Sequence, residues 1–229
     1  MLHAGVRGPV WVFDLDDTLH DASRHVFPAI NRMMTGYIER HLGVDTATAD
    51  RLRVDYWHRY GATLVGLQRH HAVCPRHFLA HTHAFDDLAA LLVAEPGLRH
   101  ALQRLPGRRL LLTNAPRHYA DAVLRHLGLQ RLFDAVLGIE HSRFRPKPDP
   151  SGLRRLLRQL RVAPQRCVLV EDSLPNLLTA RRLGLRTVWI AGTLRRSPAV
   201  DVRLQSVCRL PRALHRLHRG SPTHSLQGA

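Results

Sequence analysis

The sequence predicts an α/β fold, a doubly wound parallel sheet with a helical cap inserted after the first strand. Three observations predict it. An apolar run at residues 10–15 leads into three closely spaced aspartates, and from residue 98 onward short apolar runs alternate with helical periodicity. Such alternation is typical of a parallel sheet covered by helices. Counting along the chain, 93 residues separate Leu19 from Thr113, far more than one crossover helix needs.

The first strand ends in an acidic cluster within Val10-Trp11-Val12-Phe13-Asp14-Leu15-Asp16-Asp17-Thr18-Leu19. A strand that is apolar on both faces fits the centre of a parallel sheet. Carboxylates are costly there unless a cation pairs with them, and open α/β sheets bind ligands at the carboxyl ends of such strands. The cluster therefore indicates an acidic catalytic cup. The alternative is an Asp-rich turn that caps a helix. Asp17 is predicted to be a spacer whose side chain points away from the site, or a cap of the following segment.

Helical periodicity dominates the region between the acidic cluster and Pro96-Gly97. A first helix is predicted to start at the N-cap cluster Asp21-Ala22-Ser23 and to end at Gly43. Further helical segments are predicted over 46–58, 64–71, 75–80 and 84–93. We therefore predict a core formed by 1–20 and 96–219 and a helical cap formed by 21–95.

Strands and helices alternate in the second half of the chain. Predicted strands cover 109–114, 133–138, 167–172, 187–190 and 201–204. Predicted helices cover 98–105, 117–127, 150–160, 175–183 and 211–218. The polar tail, 220–229, is predicted to be disordered.

Composition limits the class of protein. The 229 residues, 45% of them hydrophobic, are enough for one sizeable core with an inserted subdomain. No apolar run reaches membrane-spanning length and the N-terminus is not signal-like, so we expect a soluble cytoplasmic protein without a membrane partner. Cys74, Cys167 and Cys208 are far apart and in no metal-binding spacing, which indicates reduced structural thiols. The sequence does not indicate an oligomeric state.

The formal charge of +16 raises the question of nucleic-acid binding. Arginine provides 33 of the 34 basic residues, and it is spread over the whole chain without a like-charge tract or interleaved aromatic residues. This distribution argues against specific nucleic-acid binding and for arginine on solvated faces. The positive field would still attract small phosphate esters.

The one lysine of the chain, Lys147, lies in Phe144-Arg145-Pro146-Lys147-Pro148-Asp149-Pro150. An ammonium is a compact point charge and a guanidinium is a planar fork, so the two are not interchangeable at a tight site. A lysine kept between two prolines, in a chain that uses arginine everywhere else, indicates a specific role. The alternative is a surface lysine retained by chance.

Reactive side chains follow three of the predicted strands, whose carboxyl ends meet at one edge of a parallel sheet. They are Asp14 and Asp16, Thr113 and Asn114, and Glu171 and Asp172, with Lys147 in a loop near the start of a helix. Mg²⁺ prefers a few carboxylates together with waters and substrate phosphate, and a carboxylate can also attack phosphorus. Two aspartates two positions apart can divide this work, one as nucleophile and one as general acid and base.

Four ordered motifs, Asp14-Leu15-Asp16-Asp17-Thr18, Thr113-Asn114, Lys147 and Glu171-Asp172-Ser173, resemble those of the haloacid dehalogenase-like (HAD) hydrolase superfamily. The resemblance covers about residues 9–204 and implies a Rossmann-like core. It implies that Asp14 is the nucleophile and a Mg²⁺ ligand. It also implies that Asp16 protonates the leaving alcohol, then activates water, and binds Mg²⁺ through its backbone carbonyl. Asp16 argues against a dehalogenase, which has no leaving alcohol to protonate.

The same resemblance implies roles for the other motif residues. Thr113 and the Asn114 amide would hold phosphoryl oxygens, and Lys147 would neutralise the charge that Asp14 and phosphate bring together. Asp172 would be a direct metal ligand. Glu171, at a position where Asp is frequent, would act through a metal-bound water.

The predicted cap resembles that of the pyrimidine 5′-nucleotidase subgroup. The matching stretches are 27–34 and 60–67, and Asp172-Ser173-Leu174-Pro175-Asn176-Leu177 fits the fourth motif of that subgroup. The resemblance implies that Asn31, Tyr60 and Thr63 meet the nucleoside, with Asn176 as a further substrate candidate. Packing within the cap is the alternative role for the first three.

The sequence thus predicts a Mg²⁺-dependent phosphomonoester hydrolase that acts through a phospho-Asp14 intermediate, with pyrimidine nucleoside 5′-monophosphates as its first candidate substrates. A sugar-phosphate phosphatase or phosphomutase on the same core is an alternative, because Glu171-Asp172-Ser173 also resembles the fourth motif of β-phosphoglucomutases. An alternative from another class is a basic nucleic-acid-associated protein with a vestigial site. Salt-dependent DNA retention without Mg²⁺-dependent phosphatase activity would favour that alternative.

Overall fold

A computed structural model describes residues 8–192 and 197–218 of the chain. Within these ranges the strands are β1 (Val10–Phe13), β2 (Arg108–Leu112), β3 (Ala135–Leu137), β4 (Cys167–Glu171), β5 (Arg186–Ile190) and β6 (Val202–Leu204). They form one sheet in the order β3-β2-β1-β4-β5-β6, with every neighbouring pair parallel. This order confirms the predicted α/β fold with a doubly wound parallel sheet.

Strand β1 lies inside the sheet, and all four of its side chains are apolar and buried. Phe13 is aligned with Leu111 of β2 on one side and with Val170 of β4 on the other. Because side chains alternate between the faces of a strand, Trp11 and Phe13 enter one hydrophobic cluster and the two valines enter another. A strand packed on both faces and both edges holds the residue that follows it, Asp14, in a fixed position.

Helices cover both faces of the sheet. In chain order the described α-helices are α1 (Val26–Leu42), α2 (Thr46–Tyr60), α3 (Thr63–His71), α4 (Pro75–Thr82), α5 (Leu88–Leu91), α6 (Leu98–Gln103), α7 (Arg117–His126), α8 (Ser151–Leu160), α9 (Leu174–Arg182) and α10 (Leu210–His218). Side chains of α6, α7 and α10 pack on the face that carries Trp11. Those of α8 and α9 pack on the opposite face, where Leu153, Leu156 and Leu160 of α8 are buried at helical spacing.

Helices α1 to α4 share a hydrophobic cluster of their own, which also includes Ile139 from the loop after β3. Helix α3 crosses close to α2 at Gly66, where an added Cβ would lie 2.2 Å from Cγ of Tyr56, so a larger residue would push the two helices apart. The N–H of Asp21 donates to the carbonyl of Val93 at 2.7 Å. The two ends of the inserted segment therefore lie side by side, as a cap over 21–95 requires, and the limits of that cap stay a prediction.

The start of the first helix differs from the prediction. It begins at Val26, and Asp21-Ala22-Ser23 does not provide its N-cap. Pro28 has no backbone N–H and fits only the first turn of a helix, so the helix cannot start several residues earlier. The upstream residues form turns instead, in which Asp21 Oδ1 accepts the N–H of Arg24 at 3.1 Å. The predicted end at Gly43 is confirmed, with a left-handed φ of 65°.

The helix predicted over 84–93 was also too long. Only Leu88–Leu91 is helical, with Asp87 accepting the N–H of Ala90, and the chain is extended at Leu92 as it returns toward the sheet. The predicted strands and the other helices are present, and each of their ends lies within two residues of the predicted one. The predicted disordered tail, 220–229, lies outside the described residues. Among the described helices, none has both the length and the apolar character that crossing a membrane would require.

Candidate active site

The loop after β1 folds into a tight turn that positions Asp16. The N–H groups of Thr18 and Leu19 both donate to the carbonyl of Leu15, at 3.3 and 2.8 Å. Asp17 adopts a left-handed φ of 58°, which aspartate tolerates better than most residues. Its carboxylate accepts the N–H of Ser23 at 2.8 Å and also the Ser23 hydroxyl. Asp17 therefore caps the following segment, as predicted, and has a structural role.

Lys147 lies at the centre of the site, buried between the ends of three strands. Its Nζ donates to Asp14 Oδ1 at 2.7 Å, to Glu171 Oε2 at 2.7 Å and to the Leu112 carbonyl at 3.0 Å. An ammonium has three donors, so these three acceptors use all of them. The structure thus brings the chain's single lysine to the two predicted acidic motifs.

Asn114 contacts the lysine loop through its side chain. Its Nδ2 donates to the Lys147 carbonyl at 3.1 Å, and its Oδ1 accepts the Lys147 N–H at 2.7 Å. The side-chain amide therefore holds the backbone of Lys147, a contact that sequence reasoning missed. The backbone N–H of Asn114 and the second N–H of its Nδ2 are left for the predicted phosphate contact, and in the described part of the chain the backbone N–H donates to no protein acceptor.

Thr113 and Asp172 complete the edge of the site. The buried Thr113 Oγ1 accepts the N–H of Ala115 at 3.0 Å, which leaves its hydroxyl proton for a ligand. Asp172 Oδ1 accepts the hydroxyl of Thr18 at 3.2 Å, and the Asp172 carbonyl accepts Nε1 of Trp189 at 2.7 Å. Both residues lie where their strands end, as the sequence predicts.

The buried carboxylates have perturbed pKa values. Burial, followed by the charge of Glu171, raises the pKa of Asp14 to about 8 against the opposing effect of Lys147. Burial, followed by the charge of Asp14, raises the pKa of Asp172 to about 6. Burial also raises the pKa of Glu171. Burial lowers the pKa of Lys147, but Asp14 and Glu171 raise it more, so the net shift is upward and the ammonium stays charged.

These shifts indicate that the cluster lacks positive charge. Asp14, Glu171 and Asp172 each offer an oxygen within 4.8 Å of the other two, and one lysine cannot balance three carboxylates. A divalent cation with oxygen ligands would supply the missing charge, and Mg²⁺ prefers this donor set. Both oxygens of Glu171 already accept protein donors, Lys147 Nζ and the Ser173 N–H at 3.2 Å. Asp14 and Asp172 are therefore the better direct ligands.

Two residues that sequence reasoning missed contact Asp16. The hydroxyl of Tyr119, on α7, donates to Asp16 Oδ1 at 2.7 Å, and His20 Nε2 lies 3.0 Å from the same oxygen. His20 follows the motif directly and could have been suspected from its position. No sequence signal pointed to Tyr119, because it lies 103 positions from Asp16 in the chain.

The predicted substrate residues are less clearly placed at the site. Thr63 is buried and its hydroxyl donates to the Arg53 carbonyl at 2.8 Å, and the Tyr60 hydroxyl pairs with His70 Nε2 at 2.7 Å. Asn31 is exposed on α1 and Asn176 is buried on α9. In the described part of the chain, none of these four residues has a hydrogen bond to Lys147 or to the carboxylates of Asp14, Glu171 and Asp172. The contacts of Thr63 and Tyr60 match the packing alternative.

Residues 10–184 match the family model of haloacid dehalogenase-like hydrolases. The match covers more than half of the chain, which therefore belongs to this family.

Several curated relatives of the chain are named as phosphatases. It is 30% identical over 212 residues to a phosphoglycolate phosphatase of Cereibacter sphaeroides, a match that covers 85% of this chain and 90% of the relative. It is 26% identical over 198 residues to a phosphoglycolate phosphatase of Colwellia psychrerythraea, with 79% and 83% covered. A validoxylamine A 7′-phosphate phosphatase of Streptomyces hygroscopicus is 30% identical over 112 residues, which is 48% of this chain and 52% of that protein.

Solved structures support the same fold. A HAD phosphatase from Thermococcus onnurineus superposes with a TM-score of 0.66 at 20% identity and covers 90% of this chain and 97% of its own. CbbY from Rhodobacter sphaeroides in complex with phosphate gives 0.62 at 22% identity, with 89% and 96% covered.

Proposed function

We propose that the chain is a Mg²⁺-dependent phosphatase that hydrolyses small phosphate monoesters through an aspartyl phosphate on Asp14. The observation that carries the proposal is the position of Lys147, which bridges Asp14 and Glu171 at 2.7 Å each. The phosphatases among the curated relatives support it. In a vestigial site on a nucleic-acid-binding protein, nothing would retain a buried lysine with all three of its donors in use, when every other Lys or Arg position of the chain is arginine.

The geometry supports a two-step displacement. A carboxylate oxygen of Asp14 attacks phosphorus, the bond from phosphorus to the leaving oxygen breaks, and Asp16 gives its proton to that oxygen. In the second step Asp16 takes a proton from water as the water oxygen attacks the phosphoaspartate. The bond from phosphorus to Asp14 then breaks, which releases inorganic phosphate and restores both carboxyl groups.

Protein groups around the phosphoryl position keep charge in balance during these steps. Lys147 offsets the negative charge that Asp14 and phosphate bring together, while the Thr113 hydroxyl and the Asn114 N–H donate to phosphoryl oxygens in this proposal. Asp14, Asp172 and the Asp16 carbonyl would hold Mg²⁺. Mg²⁺ would supply further positive charge at the phosphoryl oxygens.

For the substrate class we propose a phosphorylated carbohydrate or short organic acid. Two relatives of which this chain covers 83% and 90% are named for phosphoglycolate. The pyrimidine nucleotide hypothesis rests on the resemblance of the cap, and Thr63 and Tyr60, two of its candidate residues, have hydroxyl groups already bonded inside the predicted cap. Sugar phosphates and phosphoglycolate therefore replace UMP and CMP as first candidates.

A panel of phosphate esters tests the proposal. Phosphate release is measured with 2-phosphoglycolate, several sugar phosphates, UMP, CMP, AMP and GMP, each with Mg²⁺ and with a chelator. We expect Mg²⁺-dependent release, greatest for the first two classes. A preference for UMP and CMP would restore the nucleotidase hypothesis, and absence of release from every ester would contradict the proposal.

The Asp14→Asn variant is the control for the intermediate. It nearly matches the carboxyl group in shape but cannot form an acyl phosphate by the same attack. We expect this variant to have no turnover. After incubation with a radioactively labelled ester and quenching in acid, the wild-type enzyme should retain the label and the variant should not. Normal turnover by a folded Asp14→Asn enzyme would exclude Asp14 as the nucleophile.

A further inference from the structure

Among the residues that the structure describes, the carboxyl group of Asp16 is held through one oxygen only. Oδ1 accepts the hydroxyl of Tyr119 at 2.7 Å and lies 3.0 Å from Nε2 of His20. In the described ranges, no hydrogen bond joins Oδ2 to another protein group. The two oxygens of this residue are therefore chemically distinct in the folded protein.

Both groups that contact Oδ1 are held rigidly. Tyr119 and His20 are buried, with 1% and 4% of their surface exposed. The ring of Tyr119 packs against the rings of His83 and Phe85, at centroid distances of 5.4 and 5.7 Å. Burial and the charge of Asp16 raise the pKa of Tyr119, so its hydroxyl keeps its proton and remains a donor.

The surroundings of His20 indicate a role other than stability. Its Nδ1 is buried and, in the described part of the chain, has no hydrogen-bond partner. A buried polar atom without a partner is destabilising. An apolar side chain would avoid this cost but would give up the contact between Nε2 and Asp16. The fold therefore keeps an imidazole here for the one nitrogen that faces the carboxyl group.

We infer that Tyr119 and His20 clamp Oδ1 of Asp16 and so assign proton transfer to Oδ2. The inference rests on the proposed function, in which Asp16 is the general acid and base. With the Nε2–H tautomer of His20, Oδ1 accepts this N–H as well as the Tyr119 hydroxyl, so the proton of the neutral acid resides on Oδ2. The leaving oxygen takes that proton as its bond to phosphorus breaks, and the attacking water later returns one to Oδ2. Tyr119 and His20 are positioning residues, because they act through Asp16.

The dependence of the rate on the leaving group distinguishes this role from a structural one. A p-nitrophenolate leaves as a stable anion and needs no proton, whereas the alkoxide of a sugar or glycolate does. The constant kcat/KM reports the steps up to departure of the leaving group. A variant with a misplaced Oδ2 should therefore lose kcat/KM for alkyl esters and retain it for aryl esters.

The experiment compares variants on 2-phosphoglycolate, the sugar phosphates that the wild type hydrolyses, and p-nitrophenyl phosphate. The main variant is Tyr119→Phe, which removes the hydroxyl and keeps the ring. We expect its kcat/KM to fall at least about tenfold for alkyl esters and by no more than about twofold for the aryl ester. Tyr37→Phe is the matched control, because Tyr37 is also buried and its hydroxyl bonds to His77 in the predicted cap, away from Asp16.

A second pair of variants keeps the test decisive if Tyr119→Phe does not fold. His20→Leu removes the N–H that faces Oδ1, and His20→Gln retains an N–H on a side chain of similar reach. We expect His20→Leu to show the selective loss on alkyl esters and His20→Gln to restore much of it. An equal change for alkyl and aryl esters in folded variants, or no change in either class, would overturn the inference.

The same data separate this inference from the proposed function. Absence of wild-type turnover, or normal turnover by Asp14→Asn, would contradict the proposed function itself. If Asp14→Asn is inactive and Asp16→Asn loses alkyl esters selectively, the proposed function stands. A Tyr119→Phe enzyme without that selectivity would then refute only the clamp.

Discussion

Replacing Lys147 by arginine keeps the positive charge at the centre of the site but exchanges a compact ammonium for a planar guanidinium. Nζ donates to three acceptors, at 2.7, 2.7 and 3.0 Å, inside a buried pocket. A planar guanidinium cannot direct single donors from one atom toward Asp14, Glu171 and the Leu112 carbonyl together. If one charge-assisted hydrogen bond is lost, the cost is about 1.5–3 kcal/mol. That cost corresponds to about a 10- to 150-fold decrease in kcat/KM.

The assay is steady-state release of phosphate from the best ester of the panel, with circular dichroism to show that the variant is folded. Arg145→Lys provides the matched control, because it makes the reverse exchange at an exposed position two residues away. We expect it to retain wild-type kinetics. Lys147→Met is informative as a third variant, since it removes the charge altogether and leaves two buried carboxylates without their cation.

Unchanged kinetics in a folded Lys147→Arg enzyme would refute the argument. Such a result would mean that the site needs only a positive charge at this position. The retention of one lysine in an arginine-rich chain would then have no explanation in the geometry of the site.

Three further predictions concern the lysine loop, the pH dependence of stability and the metal. Asn114→Ala removes both hydrogen bonds to the Lys147 backbone, so we expect at least about a tenfold decrease in kcat/KM in steady-state assays, and an unchanged value would contradict the positioning role. Burial lowers the pKa of His83 from 6.5 to about 4. The unfolded chain therefore binds a proton that the folded protein lacks, and stability should fall by up to about 3 kcal/mol as the pH falls from 6.5 to 4. Denaturant unfolding measures this slope, and His83→Gln should flatten it, whereas an identical slope in the variant would refute the assignment. A chelator should abolish turnover and added Mg²⁺ should restore it, and activity that persists after complete metal removal would exclude the proposed metal site.

Much of the core could be predicted because its signals are local. The apolar run of β1, the alternation of strands and helices, and the long interval before Thr113 each follow from adjacent residues. Two helix predictions were wrong, because another constraint on the segment outweighed its local helix signal. Asp21-Ala22-Ser23 has the composition of an N-cap, but Pro28 restricts where the helix can begin. The segment 84–93 contains good helix formers, but it must return extended to bond with Asp21.

In the candidate site, too, local signals could be predicted from the sequence and other contacts could not. The sequence alone determined which residue types follow the strands: acidic groups after β1 and β4, a hydroxyl and an amide after β2, and one lysine between prolines. A parallel sheet brings strand ends to one edge, so their proximity followed from the fold class. The sequence could not show that Asn114 uses its side chain to hold the backbone of Lys147.

Only the tertiary structure decided the contacts between distant segments. Lys147 reaches Asp14 across 133 positions of the chain, and Tyr119 reaches Asp16 across 103. Hydrogen bonds depend on distances of a few tenths of an ångström, and these distances are set by how α7 and the lysine loop pack on the sheet. The sequence therefore determined the chemical groups of the site, while packing decided which atom of each group is bonded and which is left to react.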